Sequence, residues 1–422
     1  MDKCPVRRFD HHSVEHAQES VPAYRRLRET EPVVWTDAHD GFWVVSRYAD
    51  IAEAARDEET FSSLKDMSRE GTAFSGVSIP PSPTRQLPID LDPPLLGKHR
   101  KLLAARMSPH RARAKSDTYV AWADHCIDQF VTEGRGELVG QLASPVPTMA
   151  TLAFLGLPVE DHGLYSGPFH DIAALPKGTA EFAQAVEDMT ECMQRVAETV
   201  AERRKRPQDD AISVLVQGTI DGVALSETDV LDWVRLLLGG GIDTTTSLIA
   251  HSLVYLDRHP ELRPDLVADR SALELFMEEM LRVSTPTQAL ARTATKDVEL
   301  GGQQIKQGER VLLVWASANR DDSVFTDADV VCVDRSPNRH TSFGLGPHRC
   351  IGSHLARAEY LAVMERVLTR LPDFRLTEGA RQYESIGTVN GWRELPATFT
   401  PGAVLGVPLR QSYDDQAGRS PA

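Results

Sequence analysis

The sequence predicts a mainly α protein carrying small β-sheets, and three observations support that class. Residues 227–257 hold a helical pattern without a break, a rod on the order of 45 Å at 1.5 Å per residue. Residues 118–218 are interrupted by single glycines and prolines rather than by alternating strands. A further helical run follows Cys350, with Leu355, Ala356, Tyr360, Leu361 and Met364 at helical spacing. Neither a shift in composition nor a Gly/Ser linker divides the 422 residues. The expectation is therefore one domain over 1–422, with an ordered core of about 5–410 and short tails.

Taken in order, residues 16–30 read as an amphipathic helix. Residues 33–48 alternate apolar and polar side chains around turn residues 37–41, which predicts a hairpin, and 49–58 a short helix. Residues 61–90 are crowded with Gly, Pro, Ser and Thr; so long an irregular segment reads equally as a binding loop or a plain surface loop. After Pro93 and Pro94 comes a basic run with no acid in it: Lys98, Arg100, Lys101, Arg106, Arg111, Arg113 and Lys115. It is either a solvated helix face or a patch for anionic groups, whether cofactor carboxylates or an acidic protein.

Helices then dominate, with breaks expected near Gly134, Pro145, Pro158, Pro168 and Pro176. One long helix over 178–206 ends in RRKR before Pro207. Beyond the rod at 227–257, residues 273–283 form another helix and 298–314 short strands. An irregular stretch leads into the Cys350 loop. A final helix over about 351–371 and strand-like pieces near the turn TVNGW complete the chain.

Acidic residues outnumber basic ones by 61 to 46, a net charge of -15, which argues against nucleic acid as a general partner. The first residues lack the apolar core of a secretory signal, and no apolar run is long enough to span a bilayer. Five unpatterned cysteines suggest reduced thiols, so a soluble cytoplasmic protein is expected.

The stretch FGLGPHRCIGSHLARAE, residues 343–359, concentrates the chemistry. Gly344 and Gly346 let the backbone turn tightly and approach a flat partner. Cys350 is expected at a helix N-terminus, where free N–H groups and the dipole favour the thiolate that binds metal. His348 and Arg349 add donors and charge. The residues alone leave alternatives open: a buried structural cysteine, a nucleophile needing a histidine base, or a metal ligand. The scattered Cys4, Cys126, Cys192 and Cys332 argue against a structural zinc site.

The rod at 227–257 is apolar on nearly every face (Leu236, Leu237, Leu238, Leu248, Ile249, Leu253), yet its centre is GGGIDTTT. Three glycines cost about 1 kcal/mol each against alanine there. Gly240 and Gly241 can open a groove for a small molecule, Thr244 can bridge bound oxygen and water, and Asp243 can carry protons inward. The bland alternative is close helix packing by the glycines and back-bonding by the threonines. In 273–283, Glu279 and Arg282 share one face at i,i+3 and can pair.

Together these motifs resemble the cytochrome P450 family. The string F-x-x-G-x-H-R-C-x-G resembles its haem-binding loop, with Phe343, Gly346, His348, Arg349, Cys350 and Gly352 in position. Gly240, Gly241, Asp243 and Thr244 match its oxygen-activation motif, and Glu279 with Arg282 its E-x-x-R, which the resemblance pairs with Arg335 to lock the loop. The resemblance spans roughly residues 5–410. It implies an α-rich triangular prism with haem b between the long central helix and the helix after Cys350, whose sulfur is the axial iron ligand.

Arg100, Arg292 and His348 match residues that hold the haem propionates, and Gly240, Phe343, Gly344 and Gly352 lie along the cofactor. Leu96 departs from the histidine many relatives carry there; His99 or Lys98 are the neighbours that can substitute.

The activity implied is insertion of one atom of O2 into a small, neutral, hydrophobic substrate. Two electrons would come from a separate ferredoxin and ferredoxin reductase, since no GxGxxG unit is present. By the same analogy the substrate site draws on residues 74–80 and 165–178, Leu237, Gly240, Gln288, Ala289, Leu290, Val389 and Asn390. A peroxide-driven peroxygenase of the same fold, a haem sensor or carrier without turnover, and a haem-free cysteine hydrolase are the competing readings. Asp243 and Thr244 speak against the peroxygenase.

Overall fold

Ser226 starts the longest helix through a capping box. Its hydroxyl accepts from the Asp229 N–H while the Asp229 carboxylate accepts from the Ser226 N–H. The helix then runs Glu227–Arg258 straight through the three glycines. In this computed structural model the described residues are 9–64, 76–82 and 84–411. The chain divides into two compact units: Met1–Lys101 with Glu278–Cys350 and Glu384–Asn390, and Leu102–Met277 with Ile351–Tyr383 and Gly391–Ala422.

The first unit is built on a five-stranded sheet in the order Val33–Thr36, Phe42–Val45, Arg310–Leu313, Leu290–Ala294, Phe61–Ser62. The expected hairpin pairs Val33 with Val45 and Thr36 with Phe42. Both faces of this sheet are covered. Trp35, Trp43, Val45 and Val311 pack on one side with Ile51 of the helix Tyr48–Arg56. Val34, Phe42, Val44 and Leu312 pack on the other with Tyr24 and Leu27 of the helix Val14–Thr30. The strands Phe61–Ser62 and Leu290–Ala294 were not visible in the sequence, because the first has only two residues and the second, LARTA, lacks a sustained apolar–polar alternation.

The second unit is helical. The central helix packs against Pro145–Leu155, His162–Ala174, Ala180–Lys205 and Ser353–Arg370, which explains apolar side chains on nearly every face. A small three-stranded sheet joins Arg135–Glu137, Pro396–Thr398 and Arg375–Leu376. Two expectations need correction. Pro168 does not break its helix, which runs His162–Ala174 around it. The Leu164 carbonyl four residues earlier, which a proline cannot satisfy, accepts instead from the Cys192 thiol at 3.1 Å. The last helix is Ser353–Arg370 with Gly352 as N-cap, so Cys350 lies two residues ahead of the cap rather than at the N-terminus of a helix starting at 351. No helix among the described residues is long and apolar enough to cross a membrane.

Candidate functional site

Chemistry-bearing residues gather in both units. In the first, the loop before Cys350 is closed by its own backbone: Gly344 N–H donates to the Thr341 carbonyl and Cys350 N–H to the Phe343 carbonyl, both at 2.7 Å. Gly344 and Gly346 adopt positive φ of 69° and 67°. At Gly346 the requirement is also steric, since a Cβ would collide with the Ala55 carbonyl oxygen. Leu345 packs against the sheet core. The result is an exposed Cys350 on a fixed loop. Cys126 and Cys192 are buried, and burial raises both thiols, Cys126 to about 12, so neither forms a thiolate readily.

Two arginines and a histidine belong to this loop's surroundings. Arg100 donates to the Arg349 carbonyl at 2.8 Å. Arg292, on the strand Leu290–Ala294, is 2 % exposed, and burial brings its guanidinium down to about 10 although Asp92 favours its charge. His348 Nε2 lies 3.0 Å from Ser63 Oγ, while its Nδ1 is buried without a hydrogen-bond partner. Desolvation and then the charges of Arg292 and Arg100 hold His348 far below the usual imidazole range. Among the described residues Arg292 makes no ion pair with a carboxylate. A buried guanidinium without a carboxylate partner calls for an anion. The orphaned His348 nitrogen and the two arginines fit the carboxylates of a haem, with charge-assisted bonds. Leu96 is buried, as is His99 one helical turn on.

Behind the loop, Glu279 and Arg282 are both fully buried and share two bonds of 2.7 and 2.8 Å. Arg335 Nε lies 3.1 Å from both Glu279 oxygens, and the Cys332 N–H and Asn338 amide donate to the same carboxylate. Burial would raise the Glu279 carboxyl, but these donors outweigh it and hold it below its ordinary value. Arg282 also reaches the carbonyls of Asn319, Ala328 and Val330.

In the second unit, Asp243 sits on the central helix, buried at 2 % exposure. Tyr383 Oη donates to its Oδ1 at 2.6 Å, and His170 Nδ1 lies 2.9 Å from the same oxygen and 2.7 Å from the tyrosine. Oδ2 is buried with no partner. Burial, then the neighbouring Asp243 charge, pushes the Tyr383 phenol well above its usual value, so it remains a donor. Sequence reading missed both partners: a lone histidine and a lone tyrosine lie 73 and 140 residues away, with no motif around them.

Thr244 donates to the Gly240 carbonyl at 2.8 Å, leaving its oxygen lone pairs to accept. The two glycines differ. A Cβ at Gly240 would meet open space, whereas one at Gly241 would lie 2.5 Å from Thr151 Oγ1. Only Gly240 can leave room for a small molecule; Gly241 serves close helix packing.

Of the residues expected to touch substrate, Leu237 and Gly240 lie on the central helix. Ala289 and Val389 are buried, and Leu290 is half-buried at the start of its strand. Gln288 is engaged by its own surroundings. Its amide donates to the Ser284 and Thr285 carbonyls and accepts from Tyr24, so its side chain fastens the strand's approach. Asn390 similarly bonds the Pro286 and Ser284 carbonyls. Residues 65–75 and 83 of the loop expected over 61–90 lie outside the described residues, among them 74 and 75 of the expected substrate stretch.

The family model for cytochrome P450 matches residues 164–380. A steroid C26-monooxygenase of Mycolicibacterium smegmatis is 33% identical, covering 90% of this chain and 93% of its own. A linalool 8-monooxygenase of Pseudomonas putida is 32% identical over 90% and 95%. Among solved structures, Mycobacterium marinum cytochrome P450 CYP268A2 in complex with pseudoionone superimposes with a TM-score of 0.84 at 30% identity, covering 94% of this chain and all of that one. The chain belongs to the cytochrome P450 family. It is a haem-iron monooxygenase with the P450 fold.

Proposed function

We propose that the enzyme oxidises a small, neutral, hydrophobic molecule, drawing its two electrons from a separate ferredoxin and holding its iron through Cys350. The observation that carries this reading is the exposed thiol on a glycine-shaped loop braced by Arg100, together with a buried Arg292 that lacks a carboxylate partner and an orphaned His348 nitrogen. When bound, the haem supplies oxygen activation, and a cysteine thiolate on its iron favours O–O cleavage. Arg100, Arg292 and His348 hold the propionates, and the Glu279–Arg282–Arg335 cluster keeps the loop in register.

The chain's own chemical work is proton delivery. His170 retains 14% side-chain exposure against 3% for Asp243. It can therefore take a proton from water and pass it to the carboxylate, which Tyr383 orients. The partnerless Oδ2 can carry that proton inward, and Thr244 accepts at the next position. The molecules in the relatives' names, a steroid and linalool, are largely apolar and uncharged, which suits the uncharged candidate residues Leu237, Gly240, Ala289, Leu290 and Val389.

For the electron donor, exposed Arg111 and Arg113 offer positive charge to an acidic surface. Arg106, expected in the same patch, is paired with Asp209.

The test is Cys350→Ser. The carbon-monoxide complex of the reduced wild-type protein should show the strongly red-shifted Soret band of a thiolate ligand, and the variant should lose it. A wild-type band typical of histidine ligation, or a variant with unchanged spectrum and turnover, refutes the assignment. Spectral shifts on adding steroid and terpenoid probes narrow the substrate.

A further inference from the structure

Far along the chain from the haem loop, four histidines gather near the N-terminus. The segment holding Asp10 and His11 is fastened to the first sheet by Thr36, whose hydroxyl donates to the Phe9 carbonyl at 2.9 Å. His39 projects from the turn between the strands Val33–Thr36 and Phe42–Val45, and its Nε2 lies 2.8 Å from Asp10 Oδ1. His11 is wedged between His39 and Phe42, with ring centroids at 5.9 and 5.6 Å in edge-on contact. One ligand atom from each of Asp10, His11 and His39 lies within 4.8 Å of the others.

We propose that Asp10, His11 and His39 bind a divalent transition-metal ion of the zinc class, clamping the segment before the first helix to the hairpin turn. An ordinary ion pair accounts for Asp10 and His39, and the Ile79 backbone engages the His11 ring, but one nitrogen of that ring is left over. That side chain is 3 % exposed, and its Nδ1 is buried with no hydrogen-bond partner. An unpaired polar atom out of water is costly. A metal at the centre of the three ligands satisfies all of them.

Two imidazoles and one carboxylate suit zinc and its neighbours, whereas magnesium and calcium prefer oxygen alone. Ligands at about 2.1 Å from a tetrahedral ion sit roughly 3.4 Å apart, so small side-chain rotations close the site. Three protein ligands leave a fourth position for water. His12 N–H donates to Asp10 Oδ1 at 2.9 Å, fixing the carboxylate as outer hydrogen bonds do in such sites.

The test uses the full-length haem-loaded protein without a histidine tag, stripped with EDTA and titrated with Zn2+ by calorimetry and thermal unfolding. One zinc per chain should bind with micromolar or tighter affinity and raise the midpoint by about 2 °C or more, with Mg2+ inert. Asp10→Asn and His39→Asn should each weaken binding at least about tenfold. Asparagine tolerates the positive φ of 50° at position 39, so the turn should fold, and an unchanged haem spectrum verifies that. His259→Ala, remote in sequence, should bind as wild type. Absence of stoichiometric binding, or equal binding by the Asp10 and His39 variants, overturns the proposal.

Discussion

Tyr383 donates a hydrogen bond of 2.6 Å to Asp243 across 140 residues of chain. If this contact orients the acid for proton delivery, Tyr383→Phe should slow turnover roughly tenfold, the worth of one bond to a charged group. Asp243→Asn should slow it about 100-fold or more. Thr244→Ala should instead keep electron consumption and lower product per electron. Coupling ratios and solvent isotope effects check all three, and unaltered values in the tyrosine variant would remove it from the path.

The cluster at Glu279 predicts a stability defect with no catalytic origin. Glu279→Ala leaves Arg282, itself fully buried, and Arg335 without their counter-charge. The expected loss is about 3–5 kcal/mol with weakened haem retention. Urea unfolding followed by Soret absorbance and by far-UV circular dichroism measures both. A loss below about 1 kcal/mol would mean that the loop is held by other contacts.

Stability should also fall as pH rises through the neutral range, because of Glu359. Burial pushes this carboxyl up to about 8, against a smaller opposing pull from Lys115. The unfolded chain releases the proton near pH 4.3, so between about 4.3 and 8 the folded state binds more protons. The favourable contribution is therefore complete at low pH and lost on passing the folded value. Glu359→Gln should flatten this dependence, narrowing the difference in unfolding free energy between pH 5 and pH 8.5 by at most about 4 kcal/mol. Parallel pH profiles for the two proteins would argue against it.

Electron supply offers a kinetic readout. Arg111→Glu with Arg113→Glu should raise the apparent KM for an acidic ferredoxin roughly tenfold and flatten its salt dependence, with kcat unchanged. Equal KM values at low salt would move the docking face elsewhere.

What the sequence disclosed follows from how far each interaction reaches along the chain. The Cys350 loop, the central helix and the Glu279–Arg282 pair are local: their spacing within one loop or one helix already determines which groups meet. Arg335 joined them only through the family resemblance. His170 and Tyr383 acquire meaning only when helix packing brings them to Asp243, and no local pattern carries that. The same holds for Pro168, which looks like a break until Cys192 supplies the missing donor. Nor could the sequence show that the carbonyls of Ser284 and Thr285 hold the Gln288 amide.

The pair Gly240 and Gly241 gives the central helix two adjacent positions of opposite tolerance. Enlarging residue 240 adds volume where the backbone faces open space and so offers a handle for altering which molecules are accepted or which carbon is oxidised. Enlarging residue 241 drives a methyl into Thr151 and strains the scaffold instead. Efforts to retune selectivity therefore belong at the first glycine, and a library that randomises both will discard most of its members through misfolding.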